Sequence, residues 1–490
     1  MHFISSEYIK LRYLALWILL FLLIIRLVAM YLIPLNDPTE ARYSEIARIM
    51  VETNNWVTPM HQYNVPFLAK PPLSIWLSAL FIKAFGVSAL NARLPSLLLS
   101  IAVLGLIWQV ARQRSNPIIP MMAITVLAGN LAFYLDAGTV MTDPSLLFCT
   151  TLTFVSFWES VVQKKRLWGY VFFIALALGL LSKGLVAFVL SVMPIALWCV
   201  FQKKTFVALK TLPCLIGILL IVVIAFPWYY LAEMKNPGFL NYFIIGEHFS
   251  RFLEPSWQGD KYGFAHQVPY GMIWIYALLC TLPWCVPGIV WLFSHRHVLR
   301  DFFKDTWMSY WLFCALVPLV FFTFARNIVY PYVFPSLPAL ALLFAECTQK
   351  TSLSYKQNKA LIWIAGLSGL VFFIMTCLFI VKPELVEKSQ YRVVQLFESQ
   401  HPDKESRLIY WGYATDYSAE FYSGGKASAT FSPTIFCQLI AKPSKQYVVI
   451  DLKHFYPELP SAWLQQMTYV GEVKFHSKEY QMYLSNHTQC

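Results

Sequence analysis

The chain has 490 residues, of which 58% are hydrophobic and only 13% charged, and its mean hydropathy is +0.54. Ordinary globular chains carry about 25% charged residues, so this composition cannot cover a water-soluble surface and excludes a soluble enzyme or binding module. The net charge of +12 does not point to nucleic acid, because the cations sit in short loops between apolar stretches, where they meet anionic lipid headgroups.

In chain order, long apolar stretches fall near 13–34, 92–111, 117–136, 144–162, 168–182, 184–201, 211–231, 269–293, 307–325, 328–347 and 360–381. In lipid a backbone has no partner but itself, so each reads as a spanning helix, about eleven in all. The first run is too long for a signal peptide and lacks a small-residue cleavage site, which predicts a retained span. A shorter stretch at 71–87 carries Lys83 and reads as an interfacial helix. Trp198, Trp228, Tyr229, Tyr230 and Trp291 lie at stretch ends, as in an interfacial aromatic belt.

Threading these spans with the N-terminus inside places Lys10, Arg12, Arg112, Arg114, Lys164–Arg166, Lys203, Lys204, Lys210, Arg296, Arg300, Lys304, Lys350, Lys356 and Lys359 on the inner face. That is the distribution the positive-inside rule requires. The outer face then receives loops 35–91, 137–143 and 232–268, the turns 182–184 and 326–327, and the tail. The predicted organisation is a transmembrane domain, 1–382, and a soluble domain, 383–490. In the tail, 407–411, 446–450 and 472–475 alternate like short strands, so a small α/β unit is expected. Eight of the ten cysteines lie in or beside spans and none shows C-x-x-C spacing, which argues against a thiolate metal site. Cys437 and Cys490 share the outer tail, where an oxidising compartment would permit a disulfide.

The reactive side chains gather in the outer loops. Asp37, Glu40 and Glu45 lie in the first, Asp136 and Asp143 flank the second, and Glu233, Glu247, Glu254 and Asp260 lie in the largest. Residues 38–51 have helical spacing, so Asp37 is either the helix cap or a carboxylate placed as a base or electrostatic partner. Asp143, directly before Pro144, carries the same two readings. Lys70, between Ala69 and two prolines, and Lys183, followed by Gly184, lack a local ion-pair partner. Either they snorkel to headgroups, or with Arg251 and Arg326 they make a phosphate site. His248, in E-H-F-S-R, could orient a phosphate or bind a metal.

The order of motifs is specific: D-P-T-E-A-R-Y-S-E-I-A-R at 37–48, W-V-T-P at 56–59, K-P-P-L-x-x-W at 70–76, T-D-P-S-L at 142–146, L-L-S-K-G at 180–184, F-P-W-Y-Y at 226–230, N-P-G-F-L-N-Y-F-I-I-G-E-H-F-S-R-F at 236–252 and Y-P-Y-V-F-P-S-L-P-A-L-A-L-L at 330–343. Over about residues 10–350 the chain resembles the GT-C fold glycosyltransferases of the aminoarabinose transferase (ArnT) and protein O-mannosyltransferase superfamily. The resemblance implies an α-helical polytopic membrane glycosyltransferase with a small extracytoplasmic domain. Such an enzyme moves a sugar from a polyisoprenyl-phosphate donor, undecaprenyl phosphate in bacteria, to lipid A, another envelope glycan or lipid, or a protein, with inversion. Its place would be the bacterial inner membrane, with the site and the C-terminal domain facing the periplasm.

The same resemblance implies an essential acidic residue in the first outer loop, Asp37 or Glu40. Thr39-Glu40 stands where the family has Asp-Glu, so the carboxylate role shifts toward Asp37. Arg42 and Tyr43 of that motif would contact substrate. Lys70, Arg251 and Tyr332 match positions that hold the lipid phosphate, while Asp143, Lys183 and His248 match other cavity residues. The resemblance fixes no cofactor; it leaves room for a divalent metal, which is disfavoured because Ala69 replaces a glutamate that would be a ligand. The competing class is a polytopic transporter or flippase for a lipid-linked sugar.

Overall fold

The structure is a computed structural model that describes residues 6–254, 256–263, 266–296, 299–351, 353–383, 388–412, 416–452, 461–475 and 478–485. Among these, eight helices are long and apolar enough to cross a membrane: Ser6–Leu32, Ala89–Ala111, Asp143–Val162, Arg166–Lys183, Cys214–Lys235, Thr306–Thr323, Tyr330–Lys350 and Tyr355–Val381. Met272–Cys280 and Cys285–Ser294 form a ninth, bent by 105°. The break falls at Pro283, which has no N–H to continue the ladder. The chain is an integral membrane protein.

Besides that bent segment, two more of the eleven expected spans differ. Residues 117–136 divide into Ile118–Ala128 and Leu131–Asp136, because Asn130 turns its side chain to cap the second piece, accepting from the Phe133 N–H at 3.1 Å. Leu185–Phe201 has 17 residues, about 25 Å at 1.5 Å per residue, shorter than the roughly 30 Å hydrocarbon layer. Polar contacts fix the ends of these segments. At one end Arg114 meets Glu346 at 2.6 Å and Trp198 donates to Ser309 at 3.0 Å. At the other, Asp143 meets Lys183 at 2.6 Å, beside the start of Leu185–Phe201. The 71–87 stretch forms the helix Leu73–Phe85.

The first outer loop folds as the helix Thr39–Thr53 and a hairpin of β1 (Met60–Gln62) and β2 (Val65–Pro66). The tail is the expected α/β unit. Its strands β3 (Leu408–Trp411), β4 (Ala427–Thr430), β5 (Gln446–Asp451), β6 (Met467–Phe475) and β7 (Lys478–Ser485) are ordered β4-β3-β5-β7-β6. β3 is parallel to β4 and β5, and β7 is antiparallel to β5 and β6. β3 and β5 are buried throughout because both faces are covered. Val393, Val394 and Phe397 pack on one face, and Phe436 and Ile440 on the other. The proposed partner of Cys437, Cys490, lies outside the described residues.

This domain docks on the first outer loop through the helix Tyr417–Tyr422. The Leu35 N–H donates to the Tyr422 hydroxyl at 2.8 Å, the Ser418 N–H to Asp37 at 3.1 Å, and the Gln62 amide to Glu420 at 3.2 Å. The first loop and the tail therefore lie on the same side of the helical bundle, together with Asp143, Lys183 and Arg251.

Candidate active site

Five of the residues singled out in the sequence converge. Lys70, Lys183, His248, Arg251 and Tyr332 line one cavity of 480 Å³, whose remaining walls are apolar apart from Glu247 and Asn327 and include Phe188, Phe252 and Phe321. Each side chain is positioned by a local feature. Lys70 precedes the prolines that open the helix Leu73–Phe85, and Lys183 ends the helix Arg166–Lys183. Gly184 has φ of +73°, and a Cβ there would stand 2.6 Å from Phe243 and 2.8 Å from Nε2 of His248. That crowding explains glycine in L-L-S-K-G. His248 is held by the Phe243 carbonyl at Nδ1, 2.8 Å, and the Lys183 carbonyl at Nε2, 3.3 Å.

Every cation in the cavity has a carboxylate partner. Glu247, whose side chain is 1% exposed, receives Lys70 at 2.7 Å and Arg251 at 3.0 Å on a single oxygen, while its other oxygen accepts from Tyr242 at 3.0 Å. Burial alone would push the Glu247 carboxyl up, but Lys70 and Arg251 outweigh it and hold the group below its ordinary value. Burial drives the Lys70 ammonium down, against the pull of Glu247. Arg251 also reaches Asp260 at 3.4 Å. Lys183 pairs with Asp143 at 2.6 Å and lies 5.1 Å from the centre of the Tyr332 ring, a cation–π contact.

Asp37 and Glu40 of the first loop line a second cavity, of 340 Å³, with Arg26, Arg93 and the apolar Phe372 and Phe379, whereas Glu45 pairs with Arg48 at 2.6 Å. Asp37 caps nothing: the helix Thr39–Thr53 has Pro38 at its N-cap and no side-chain cap bond. Its carboxylate instead accepts from the N–H and hydroxyl of Ser418. Burial and the nearby Asp416 raise the Asp37 carboxyl to about 8. Glu40 is clamped by Arg93 through two bonds of 2.8 and 2.7 Å, and this pairing overcomes burial and lowers its carboxyl. Arg42 donates to the Tyr262 carbonyl and lies over the rings of Tyr43 and Phe67, each at 5.7 Å. Tyr43 is buried, which raises its hydroxyl to about 12, and lies within electrostatic reach of Arg42, Asp143 and Glu247. Asp143 is the first residue of its helix but spends its carboxylate on Lys183 rather than on a cap.

Glu247 was visible only as one acidic residue among several, although its spacing of four from Arg251 on a helical stretch was a readable pairing signal. Arg93 lies 53 residues from Glu40 and gave no local sign. Arg326 stacks on Tyr270 at 5.4 Å, and it does not line the cation cavity. Among the described residues no three His, Cys, Asp or Glu side chains converge closely enough to hold a metal ion.

The many-helix bundle, the helical first outer loop and the one-sided cavity of paired cations define a membrane protein of the GT-C fold class. The chain's fold is similar to that of ArnT. Its structure superposes on ArnT from Cupriavidus metallidurans bound to undecaprenyl phosphate with a TM-score of 0.75, at 17% identity, over 96% of this chain and 98% of that one. Residues 10–243 match the dolichyl-phosphate-mannose-protein mannosyltransferase family. The undecaprenyl phosphate-alpha-4-amino-4-deoxy-L-arabinose arabinosyl transferase of Serratia proteamaculans is 28% identical over 380 residues, 72% of this chain and 63% of that protein. A second such transferase, from Pseudomonas fluorescens, is 29% identical over 374 residues, with the same coverage. The alignments thus span somewhat under two thirds of these relatives' length.

Proposed function

We propose that the chain is a membrane glycosyltransferase that moves a sugar from a polyisoprenyl phosphate, of the undecaprenyl class, to an extracytoplasmic acceptor: lipid A, another envelope glycan or lipid, or a protein. The observation that carries this reading is the convergence of Lys70, Lys183 and Arg251, from three separate segments of the chain, on a cavity whose other walls are mostly apolar. A charged phosphate on a hydrocarbon chain is the ligand such a cavity fits. Relatives named for undecaprenyl phosphate-linked aminoarabinose support it, as does an ArnT of the same fold that binds undecaprenyl phosphate. The positive-inside pattern supports a bacterial inner membrane with this side toward the periplasm.

In this reading Lys70 and Arg251 take the donor phosphate and stabilise the charge that grows on it as the anomeric bond breaks. Tyr332 and His248 border the same group. Asp143, held at the cavity edge by Lys183, is the catalytic carboxylate nearest the donor and would take the proton of an acceptor hydroxyl. An acceptor phosphate would need only positioning. Asp37 and Glu40 serve the acceptor side from the second cavity, and Arg42 and Tyr43 lie between the two. Direct displacement inverts the anomeric centre. The test is transfer from a synthetic polyisoprenyl-phosphate sugar by the purified protein in detergent. Donor consumption that survives Lys70→Ala and Arg251→Ala together would reject the assignment.

A further inference from the structure

Asn327, in the turn after the helix Thr306–Thr323, is 5% exposed and lines the cation cavity. Its Oδ1 accepts the backbone N–H of His266 at 3.2 Å, and the adjoining Arg326 carbonyl accepts the Val268 N–H at 2.9 Å. A backbone N–H can be met only by an acceptor, so this contact fixes which end of the amide is oxygen and which is NH2. Nδ2 is consequently oriented, buried and without a hydrogen-bond partner among the described residues. Nε of Arg251, on the same cavity, is in the same condition. Buried donors left unmet are costly and rare, and here they accompany two ammonium groups that can only donate. The cavity is thus built with surplus donors and calls for a ligand rich in acceptor oxygens.

We propose that Asn327 is a further donor-substrate contact, its Nδ2 donating to an oxygen on the head group of the polyisoprenyl-phosphate donor while the His266 backbone sets its orientation. This rests on the donor-site reading above. The deciding variant is Asn327→Asp, which keeps an oxygen for the His266 N–H but replaces the donor with an acceptor. Affinities are measured for undecaprenyl phosphate and for its sugar-loaded form, with thermal melting as the folding check. Losing one buried hydrogen bond should weaken binding about five- to thirtyfold in Asn327→Ala, and at least that much in Asn327→Asp. Loss on both lipids places the contact on the phosphate, and loss on the loaded lipid alone places it on the sugar. Wild-type affinity for both in a folded Asn327→Asp protein overturns the proposal. If that variant does not fold, Asn327→Ser decides by the same criterion. Arg251→Ala separates the two levels: when it loses binding and the Asn327 variants do not, only the Asn327 assignment fails. A wild-type protein that binds neither lipid fails the donor-site reading itself.

Discussion

Replacing Glu247 by Gln removes one negative charge from a position where two cations meet. One oxygen of Glu247 receives Lys70 at 2.7 Å and Arg251 at 3.0 Å. Arg251 retains Asp260 at 3.4 Å, whereas Lys70 is left with the Ala69 carbonyl at 2.8 Å. Unit charges 4 Å apart interact by about 4 kcal/mol at an effective dielectric of 20, and stranding one member of a buried pair costs about 3–5 kcal/mol. The Lys70 side chain is 20% exposed, so the lower end, about 3 kcal/mol, is expected in the ligand-free protein. A lipid phosphate would supply the missing anion. Recovery of half the loss, about 1.4 kcal/mol, makes undecaprenyl phosphate bind about tenfold tighter to the variant than to wild type. Melting temperature and affinity are measured side by side in detergent at fixed ionic strength: the ligand-free variant should melt earlier, and saturating lipid should narrow the gap. Weaker binding by Glu247→Gln would refute this, and would mean that Glu247 aims Lys70 and Arg251 at the phosphate instead of standing in its place.

Lys70→Ala and Arg251→Ala should each weaken donor use by about tenfold to a hundredfold in steady-state transfer assays, since a charge-assisted contact contributes roughly 1.5–3 kcal/mol; normal affinity in either variant reduces that residue to snorkelling. Asp37 gives a pH dependence of definite sign. Its carboxyl is raised from 3.8 to about 8, so the folded protein keeps a proton that the unfolded chain releases, and stability falls as pH rises through that window. Glu420, raised to about 8 by burial and by Glu45, acts in the same direction. Melting curves from pH 5 to 9 should therefore slope downward, and Asp37→Asn should flatten the slope; an unchanged slope would remove Asp37 from the docking of the C-terminal domain. Single cysteines at the exposed positions Lys165 and Lys442, in a background without reactive native cysteines, should label from opposite sides of the membrane. Labelling of both from one side would overturn the topology.

What the sequence made legible follows from how local each signal is. Lys70, Lys183, His248, Arg251 and Tyr332 were readable because glycine, proline or a helix end marks most of them, and all five reached one cavity. The strands at 407–411 and 446–450 were readable from apolar alternation and short length, and they form β3 and β5. The charge partners were harder. Arg93 reaches Glu40 across 53 residues and Ser418 reaches Asp37 across 381, distances at which no periodicity carries information. The same limit hid the division of the first-loop acids from the cation cavity. Whether Glu40 faces Lys70 or Arg93 is decided by packing between helices far apart in sequence, not by the spacing within D-P-T-E-A-R-Y. The bend near Pro283 and the cap at Asn130 were marked by residue type, yet an uninterrupted apolar window conceals both, since hydropathy sums composition and ignores where the hydrogen-bond ladder breaks.

The distribution of polar groups along the bundle also separates the enzyme reading from the transporter reading. A carrier must open alternately to both sides, and it concentrates its substrate groups at mid-depth in interrupted helices. Here the cation cavity lies toward the end that carries the first loop, on which the C-terminal domain docks. The far end is held by ion pairs between segments distant in sequence, Arg114 with Glu346 at 2.6 Å and Lys350 with Asp305 at 3.7 Å, and by a local pair of Lys165 with the buried Glu159 at 2.6 Å. Behind them Trp158, Trp198, Trp307 and Tyr310 fill the interior, with Tyr310 5.0 Å from Trp198 and 5.2 Å from Trp158, ring centre to ring centre. Opening that end would break these ion pairs, two of which have one buried partner, and separate four large packed rings at once. A glycosyl transfer needs no such opening. Its lipid donor can enter sideways from the membrane along an apolar wall, its charged head reaches the cations at the surface, and product leaves by the same side.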